Sequence, residues 1–109
     1  GVQQRFAGHL AQIQAVKSLV WNIADLKDKG ERVTLLASQA KLLASDLAMQ
    51  VTSDAVEFAG VCGYTRAFEL ERMMRDAKAL QIVEGTNQIQ RMVISREVTK
   101  SFQTKASHE

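Results

Sequence analysis

Apolar residues recur every three or four positions along most of the chain, the spacing that places them on one face of an α-helix. The first such stripe runs over residues 1–29 and is followed by Gly30, a residue type that commonly ends helices. Lys27 and Lys29 precede this glycine, in the last turn, where cations are favoured. The pattern therefore predicts a long first helix. Its apolar positions are Phe6, Leu10, Ile13, Val16, Leu19 or Val20, Ile23 and Leu26.

A second helix is predicted from Thr34, whose hydroxyl can cap it, to about Ala59. One face is apolar, and a second ridge consists of alanines, whose small side chains let helix axes approach closely. Core packing accounts for both patterns, as is usual in helical bundles. The predicted inner face comprises Leu36, Ala40, Leu43, Leu47, Val51 and Phe58, and the small ridge comprises Ala37, Ala40, Ala44, Ala48 and Ala55.

Glycines interrupt the helical pattern at residues 60–63, which predicts a turn after the second helix. Thr65 is a candidate cap for a shorter third helix, expected over about residues 68–78. Helical spacing of apolar residues assigns the buried side of this helix. The predicted buried residues are Leu70, Met73 and Met74.

A last helix is predicted from Thr86 or Asn87 to about residues 99–102, with residues 103–109 as a polar tail. The hydroxyl of Thr86 can cap this helix, and Asn87 is the other candidate cap. The predicted fold is therefore all-α, an antiparallel helical bundle over residues 1–102. Composition agrees, because the chain has no proline and only six glycines, and good helix formers dominate it. A length of 109 residues with 46% apolar residues suits one small globular domain.

The charges are interleaved, and 14 basic against 12 acidic residues give a net charge of +2, which argues against a nucleic-acid or polybasic membrane-binding segment. No apolar run reaches the roughly 18 residues of a membrane span, and the N-terminus does not resemble a signal peptide. His9 and His108 are isolated and Cys62 is the single cysteine, so neither a metal site nor an internal disulfide is predicted. Arg72 and Asp76, four residues apart, predict an ion pair on the third helix.

One carboxylate lies at the point where the third predicted helix gives way to the fourth. Leu80, Ile82 and Val83 are apolar and stiff, and Glu84 follows them directly, before Gly85. Considered alone, this position suits a carboxylate that caps the next helix or complements its dipole. It also suits a carboxylate held beside an apolar surface, where it could perform chemistry.

The residues around Glu84 resemble the C-terminal signature of the acyl-CoA dehydrogenases. The resemblance spans most of residues 2–98 and is firmest from Ala44 onward. The segments that carry it are Met74–Lys78 and Gln81–Arg91, and Ala48–Val56 and the turn at residues 60–65 also fit. It implies a flavoenzyme that takes a proton alpha to a thioester and passes a hydride to FAD. The implied partners are an acyl-CoA substrate and an electron-transfer flavoprotein or other acceptor. The implied location is the cytoplasm or the mitochondrial matrix, which the residues themselves do not specify.

The resemblance also implies roles for single residues. Glu84 aligns with the catalytic base of the short- and medium-chain branch, the group that takes the alpha proton. Gly85 aligns with a position that lies against the substrate. Thr86 and Gln88 align with positions that touch FAD near its adenosine half, at a helix start that suits a phosphate or ribose oxygen.

The turn at residues 57–61 matches the family less closely. The family usually has Gln, two apolar residues and Gly-Gly there, and its backbone approaches the FAD of a neighbouring subunit. Glu57 adds a negative charge close to a pyrophosphate, and Val61 adds bulk where the backbone should approach closely, whereas Gly60 is retained. Glu57, Gly60 and Val61 are therefore predicted cofactor contacts, with weaker FAD binding than is usual in the family.

The resemblance covers a C-terminal bundle without its first helix and without the other two family domains. The expected function is the C-terminal part of an FAD-dependent acyl-CoA dehydrogenase, inactive as an isolated chain because most pocket residues lie elsewhere. The alternative is a non-catalytic assembly module that self-associates or packs on a full-length dehydrogenase subunit. A bundle lacking one helix would expose an apolar groove, which predicts homo-oligomers.

Overall fold

The computed structural model describes residues 1–65 and 69–108, and the chain is helical over most of both segments. Four α-helices occur there, and a short 3₁₀ helix follows the second of them. Neither segment contains a strand, which confirms the predicted all-α class. The helices are α1 (Val2–Asp28), α2 (Thr34–Ala59), α3 (Leu70–Leu80) and α4 (Asn87–His108), and the 3₁₀ helix is Gly60–Tyr64.

Helix α2 is the centre of the fold. Helices α1, α3 and α4 each pack against α2, and over the described residues none of these three packs against another. The buried positions of α2 are mostly small, namely Ser38, Ala40 and Ser45, together with Val56. Small side chains on different sides of one helix allow neighbours to approach from different directions. The alanine and serine content of α2 therefore explains why it can be the common partner.

The sequence located the first helix to within one residue at each end, since 1–29 was predicted and α1 is Val2–Asp28. Gly30 follows the helix with a φ of 80°, and its N–H donates to the carbonyl of Lys27 at 2.9 Å. The predicted cap of α2 is wrong, because Thr34 is already the first helical residue and Val33 occupies the cap position without a side-chain hydrogen bond.

Helix α3 begins at Leu70, and its cap position is occupied by Glu69, whose φ is 56°. Thr65 lies too far before the helix to be its cap, so that prediction is wrong. The predicted start at Phe68 lies outside the described residues.

Helix α4 begins at Asn87, one of the two predicted starts. It continues to His108, past the predicted end at residues 99–102, so most of the segment predicted as a polar tail is helical. The segment contains no glycine or proline that would stop a helix, and its polar residues are mostly compatible with one. Residues 103–106 are exposed.

The apolar stripe of α1 faces α2 differently from the prediction. Leu10, predicted to face inward, is 67% exposed, whereas His9 is only 5% exposed. The Nε2 atom of His9 lies 2.6 Å from Oδ2 of Asp54 on α2, and its ring meets Phe6 edge-on. A buried imidazole is tolerated there because the carboxylate satisfies its ring nitrogen. His9 is therefore a helix-packing residue, a role that the sequence pattern did not indicate.

Large apolar side chains are exposed on every helix. Leu43, Phe58 and Met73, all predicted to be buried or on an inner face, are exposed, and Trp21 is 74% exposed. The accessible surface is 7925 Å², although a compact protein of 12.1 kDa exposes about 6000 Å². The molecule measures 59 × 27 × 24 Å. It is thus an elongated, open bundle whose apolar surface is only partly covered.

The charged residues of α3 pair differently from the prediction. Arg72 lies 3.6 Å from Glu69, and Arg75 lies 2.7 Å from Glu71. The ion pairs of the described residues do not include the predicted pair between Arg72 and Asp76. These exposed pairs along one helix contribute only a few tenths of a kcal/mol each.

Gly63 supplies a test of the packing between the 3₁₀ helix and α2. A Cβ atom at this position would lie 2.6 Å from the carbonyl oxygen of Val56 and 3.0 Å from its Cα. Because helix backbone yields little, we expect Gly63→Ala to lower the free energy of unfolding by about 1–3 kcal/mol, measured by urea denaturation.

The matched control is Gly8→Ala. Gly8 lies within α1, and a Cβ there meets nothing within 4 Å. This substitution should raise stability by about 0.5–1 kcal/mol, because alanine suits a helix interior better than glycine. Equal effects of the two substitutions would contradict the close approach at Gly63.

Candidate active site

The turn between α3 and α4 has a left-handed backbone at two consecutive residues. The φ angles are 54° at Glu84 and 90° at Gly85. Glycine adopts this conformation readily, whereas for a glutamate it costs of order 1–3 kcal/mol and persists only where the surroundings enforce it. A hydrogen bond of 3.0 Å from the N–H of Asn87 to the carbonyl of Gln81 closes the turn.

Thr86 caps α4 as predicted. Its Oγ1 accepts a hydrogen bond of 3.2 Å from the N–H of Ile89, and its carbonyl accepts the N–H of Gln90 at 2.9 Å. These are the contacts expected of an N-cap residue. The start of α4 is therefore fixed immediately after the left-handed turn.

Lys41 of α2 reaches across to this turn. Its Nζ donates to the carbonyl oxygen of Gly85 at 2.9 Å and to Oδ1 of Asn87 at 2.6 Å. Gln90 also approaches the turn, with Nε2 at 3.4 Å from the carbonyl of Glu84 and at 3.5 Å from that of Gly85. These two distances mark weak interactions, whereas the lysine bonds are short and charge-assisted.

Asn87 is buried, with 6% of its surface exposed, and its carboxamide joins α4 to α2. Its Nδ2 donates to Oγ of Ser45 at 2.8 Å and to Oδ1 of Asp46 at 2.7 Å. The same Asp46 oxygen accepts a bond of 2.8 Å from Nε2 of Gln81. With Lys41 on Oδ1, every polar atom of the Asn87 side chain is satisfied. We call Lys41, Ser45, Asp46, Gln81 and Asn87 the polar lock.

Glu84 lies on the wall of a groove of about 340 Å³ between α2 and the turn. The groove walls are mainly apolar, and Glu84 carries the only carboxyl group among the described residues that form them. Glu84 is exposed to solvent rather than enclosed in the groove. The arrangement presents one carboxylate to an apolar surface that is open on one side. The groove is lined by Lys41, Ala44, Ser45, Leu80, Val83 and Glu84.

The predicted residues Gly85, Thr86 and Gln88 follow Glu84 directly and lie at the N-terminal end of α4. Gln88 is exposed, and Thr86 is half-buried. A helix of 22 residues presents the positive end of its dipole at this point, and the N–H groups of Asn87 and Ile89 already donate to Gln81 and Thr86. A positive helix end favours a phosphate oxygen, so this end of the molecule is compatible with part of a dinucleotide.

Glu57, Gly60 and Val61 lie elsewhere. Lys41 and Glu57 are 16 residues apart on one continuous helix, and at 1.5 Å per residue this places them roughly 24 Å apart along its axis. Val61 is 85% exposed and Glu57 is also exposed. The structure thus does not bring the two groups of predicted residues together. The negative charge of Glu57 does not favour a pyrophosphate at this second position.

No cluster of three or more metal-ligating side chains of the His, Cys, Asp or Glu type occurs in residues 1–65 and 69–108. Within the same residues, no helix combines the length and apolar content needed to cross a bilayer.

Sequence reasoning did not find Lys41, Ser45 or Asp46, and it considered Asn87 only as a helix cap. A signal was present, because Lys41 and Ser45, four residues apart, place polar atoms on one side of α2. The partners of all three residues on the turn and on α4, however, are 35 to 46 residues away along the chain. Local spacing cannot identify partners at such separations.

A family model described as "Acyl-CoA dehydrogenase, C-terminal domain" matches residues 1–99. A curated cyclohexane-1-carbonyl-CoA dehydrogenase from Geobacter metallireducens is 50% identical over 99 residues, which cover 91% of this chain and 26% of that protein. The chain spans about a quarter of the length of the curated relatives that it matches.

Solved structures have a similar fold. Butyryl-CoA dehydrogenase from Megasphaera elsdenii is 42% identical, with a TM-score of 0.79, over 88% of this chain and 26% of that one. A chain from a structural study of the electron transferring flavoprotein of Acidaminococcus fermentans is 45% identical, with a TM-score of 0.85, over 89% of this chain and 26% of that one. The arrangement of helices described above is therefore shared with these proteins.

Proposed function

Because the chain belongs to the acyl-CoA dehydrogenase family, whose C-terminal domain it matches over residues 1–99, we propose that it serves an FAD-dependent dehydrogenation. The proposed reaction removes hydrogen from the alpha and beta carbons of an acyl-CoA thioester. The observation that carries the proposal is the single carboxylate of Glu84 on the wall of an apolar groove. An acyl chain is apolar and its alpha proton needs a base, so the groove offers both of the required features.

Glu84 is the proposed base. Its carboxylate takes the alpha proton of the thioester, and Gly85 lies against the bound substrate. A base must come within hydrogen-bond reach of the proton that it removes, so its placement matters as much as its basicity. The left-handed turn and the polar lock support this role, because they restrain the backbone from which the carboxylate projects.

Thr86 and Gln88 are the proposed FAD contacts of this region, since both lie at the N-terminal end of α4. When bound, FAD supplies the acceptor for the hydride that leaves the beta carbon. Glu57, Gly60 and Val61 are proposed contacts to the FAD of a neighbouring subunit. This agrees with the distance of roughly 24 Å along α2 between Glu57 and Lys41, the residue that contacts the turn of Glu84. An electron-transfer flavoprotein is the proposed electron acceptor.

The isolated chain is expected to be inactive. Its groove is open on one side, and the groups that would enclose a flavin and a thioester are not supplied by the described residues. In this proposal the chain contributes one wall and the base, and other domains or subunits contribute the remainder.

The role of Glu84 can be tested in a chimera. Residues 1–99 replace the matching region of the Geobacter metallireducens relative, and flavin reduction is followed after addition of cyclohexane-1-carbonyl-CoA, the thioester in that relative's name. We expect Glu84→Gln to lower kcat by about 10²- to 10⁴-fold, the usual contribution of a general base.

The matched control is Glu31→Gln, an equally conservative change at an exposed residue between α1 and α2. It should leave kcat within about twofold, as surface substitutions generally do. A flavin-loaded chimera in which Glu84→Gln also stays within that range would contradict the assignment of the base.

The exposed apolar surface favours a second candidate, an assembly module that pairs with itself or with a dehydrogenase subunit. Leu10 and Trp21 are both mostly exposed on α1. The accessible surface exceeds that expected for a compact protein of the same mass by nearly a third. Extensive exposed apolar surface is typical of proteins that bind a partner through it. A homo-oligomer would cover part of this surface.

Sedimentation at tens of micromolar tests the second candidate. We expect a species heavier than 12.1 kDa, and Leu10→Lys should shift it toward the monomer because a charge would be placed in the contact. Asn22→Lys, an exposed position away from the stripe, should have little effect. A strictly monomeric chain under these conditions would rule out self-association.

A further inference from the structure

We infer that Lys41 is a positioning residue for Glu84. Its ammonium group holds the left-handed turn between α3 and α4 by donating to the carbonyl of Gly85 at 2.9 Å, the residue directly after Glu84. The inference rests on the proposed function of Glu84 for its catalytic consequence. Its structural half, that Lys41 fixes the turn, stands on the contacts alone.

The turn needs an external restraint. A left-handed glutamate is unfavourable by itself, and it persists where neighbouring groups outweigh that cost. Within the turn, the closing bond runs from the N–H of Asn87 to the carbonyl of Gln81, and it leaves the carbonyls of Glu84 and Gly85 outside the loop that it closes. In the described chain, Lys41 provides the one short hydrogen bond to either of these two carbonyls.

Lys41 is itself held in place. Its Nζ also donates to Oδ1 of the buried Asn87 at 2.6 Å, and the other side of that carboxamide is fixed by Ser45 and Asp46. The lysine stem forms part of the groove wall on which Glu84 also lies. These hydrogen bonds give the ammonium group a defined position and restrain the otherwise flexible lysine side chain.

The ammonium group of Lys41 donates to neutral oxygens rather than to a carboxylate. No carboxylate in the described residues lies within ion-pair distance of its Nζ, so both of its identified bonds go to neutral oxygens. The ammonium also lies beside the N-terminal end of α4, where the helix dipole disfavours a cation. The placement is explained if the carbonyl of Gly85 must be held.

Loss of the Lys41 hydrogen bond is expected to slow the reaction, because the Glu84 carboxylate would move away from its position on the groove wall. Loss of the Lys41 bond releases the carbonyl of Gly85 and lets the preceding residue leave its left-handed conformation. The Glu84 carboxylate would then lose its fixed position on the groove wall. Misplacement of a catalytic group by about 1 Å can cost roughly 100-fold in rate.

Amide hydrogen exchange on this chain tests the structural half. The reporter is the N–H of Asn87, which is protected only while the turn is closed. We expect Lys41→Met to speed its exchange at least about tenfold relative to amides in the middle of α1, because a released turn opens more often. Lys41→Arg should restore part of the protection.

The matched control is Lys17→Met, which also removes a lysine whose stem borders an apolar groove, here between α1 and α2. Among the described residues Lys17 has no hydrogen bond or ion pair, so exchange at Asn87 should change by less than about twofold. Equal acceleration in both variants, or no protection of this amide in the unsubstituted chain, would overturn the proposal.

The chimera tests the catalytic half. Lys41→Met should lower kcat by about 10- to 100-fold with flavin content and KM for the thioester nearly unchanged, and Lys41→Arg should recover part of the rate. A rise in KM at constant kcat would overturn the positioning role. If Lys41→Met opens the turn but Glu84→Gln leaves kcat intact, the proposed function fails while the structural half of the inference stands.

Discussion

The buried carboxamide of Asn87 is the interaction on which the candidate site depends. It lies between the first turn of α4 and the middle of α2, and it accepts from Lys41 while donating to Ser45 and Asp46. A buried amide that lost these partners would cost about 1–3 kcal/mol for each unsatisfied group. Because every polar atom of this carboxamide is paired, it fixes where α4 begins relative to α2, although Oε1 of Gln81 in the polar lock is buried without a partner. The turn that carries Glu84 is then stretched between two fixed points, the end of α3 and the start of α4.

The fold was predictable wherever the controlling forces are local. The end of α1 at Gly30 and the cap of α4 at Thr86 follow from residues within four positions of each other, and both were found from the sequence. The inward face of α1 was not found from the sequence, because the buried ring of His9 is paired with the carboxylate of Asp54, 45 residues away along the chain. Helical periodicity ranks side chains by polarity, and it cannot foresee that a polar side chain will be matched across a helix interface.

The site was predictable in part for the same reason. Resemblance pointed to Glu84, and the structure adds a groove beside it and a left-handed backbone beneath it. Neither of these follows from the sequence near Glu84. The polar lock was not predicted, because from the sequence alone Lys41 resembles an ordinary surface residue of an amphipathic helix. Local spacing of apolar and polar residues does not identify hydrogen-bond partners that are distant along the chain.

Because the bundle is open, one molecule of this chain provides only part of a binding pocket. Helix α2 serves as a platform with the carboxylate near one end and the Glu57–Val61 turn near the other, too far apart to meet around one reacting centre. One molecule therefore offers a wall rather than a pocket. In the proposed function, the exposed apolar side chains of α1 and α4 are the surfaces available to the other domains or subunits that complete the pocket.

A double-substitution cycle in the flavin-loaded chimera tests the link between the polar lock and the chemistry most directly. The rate of flavin reduction in a single turnover is measured with Lys41→Met, with Glu84→Gln and with both together. If Lys41 acts by holding Glu84, its substitution slows the reaction when Glu84 is present and has almost no further effect when Glu84 is already glutamine. An equal slowing in both backgrounds would contradict that link.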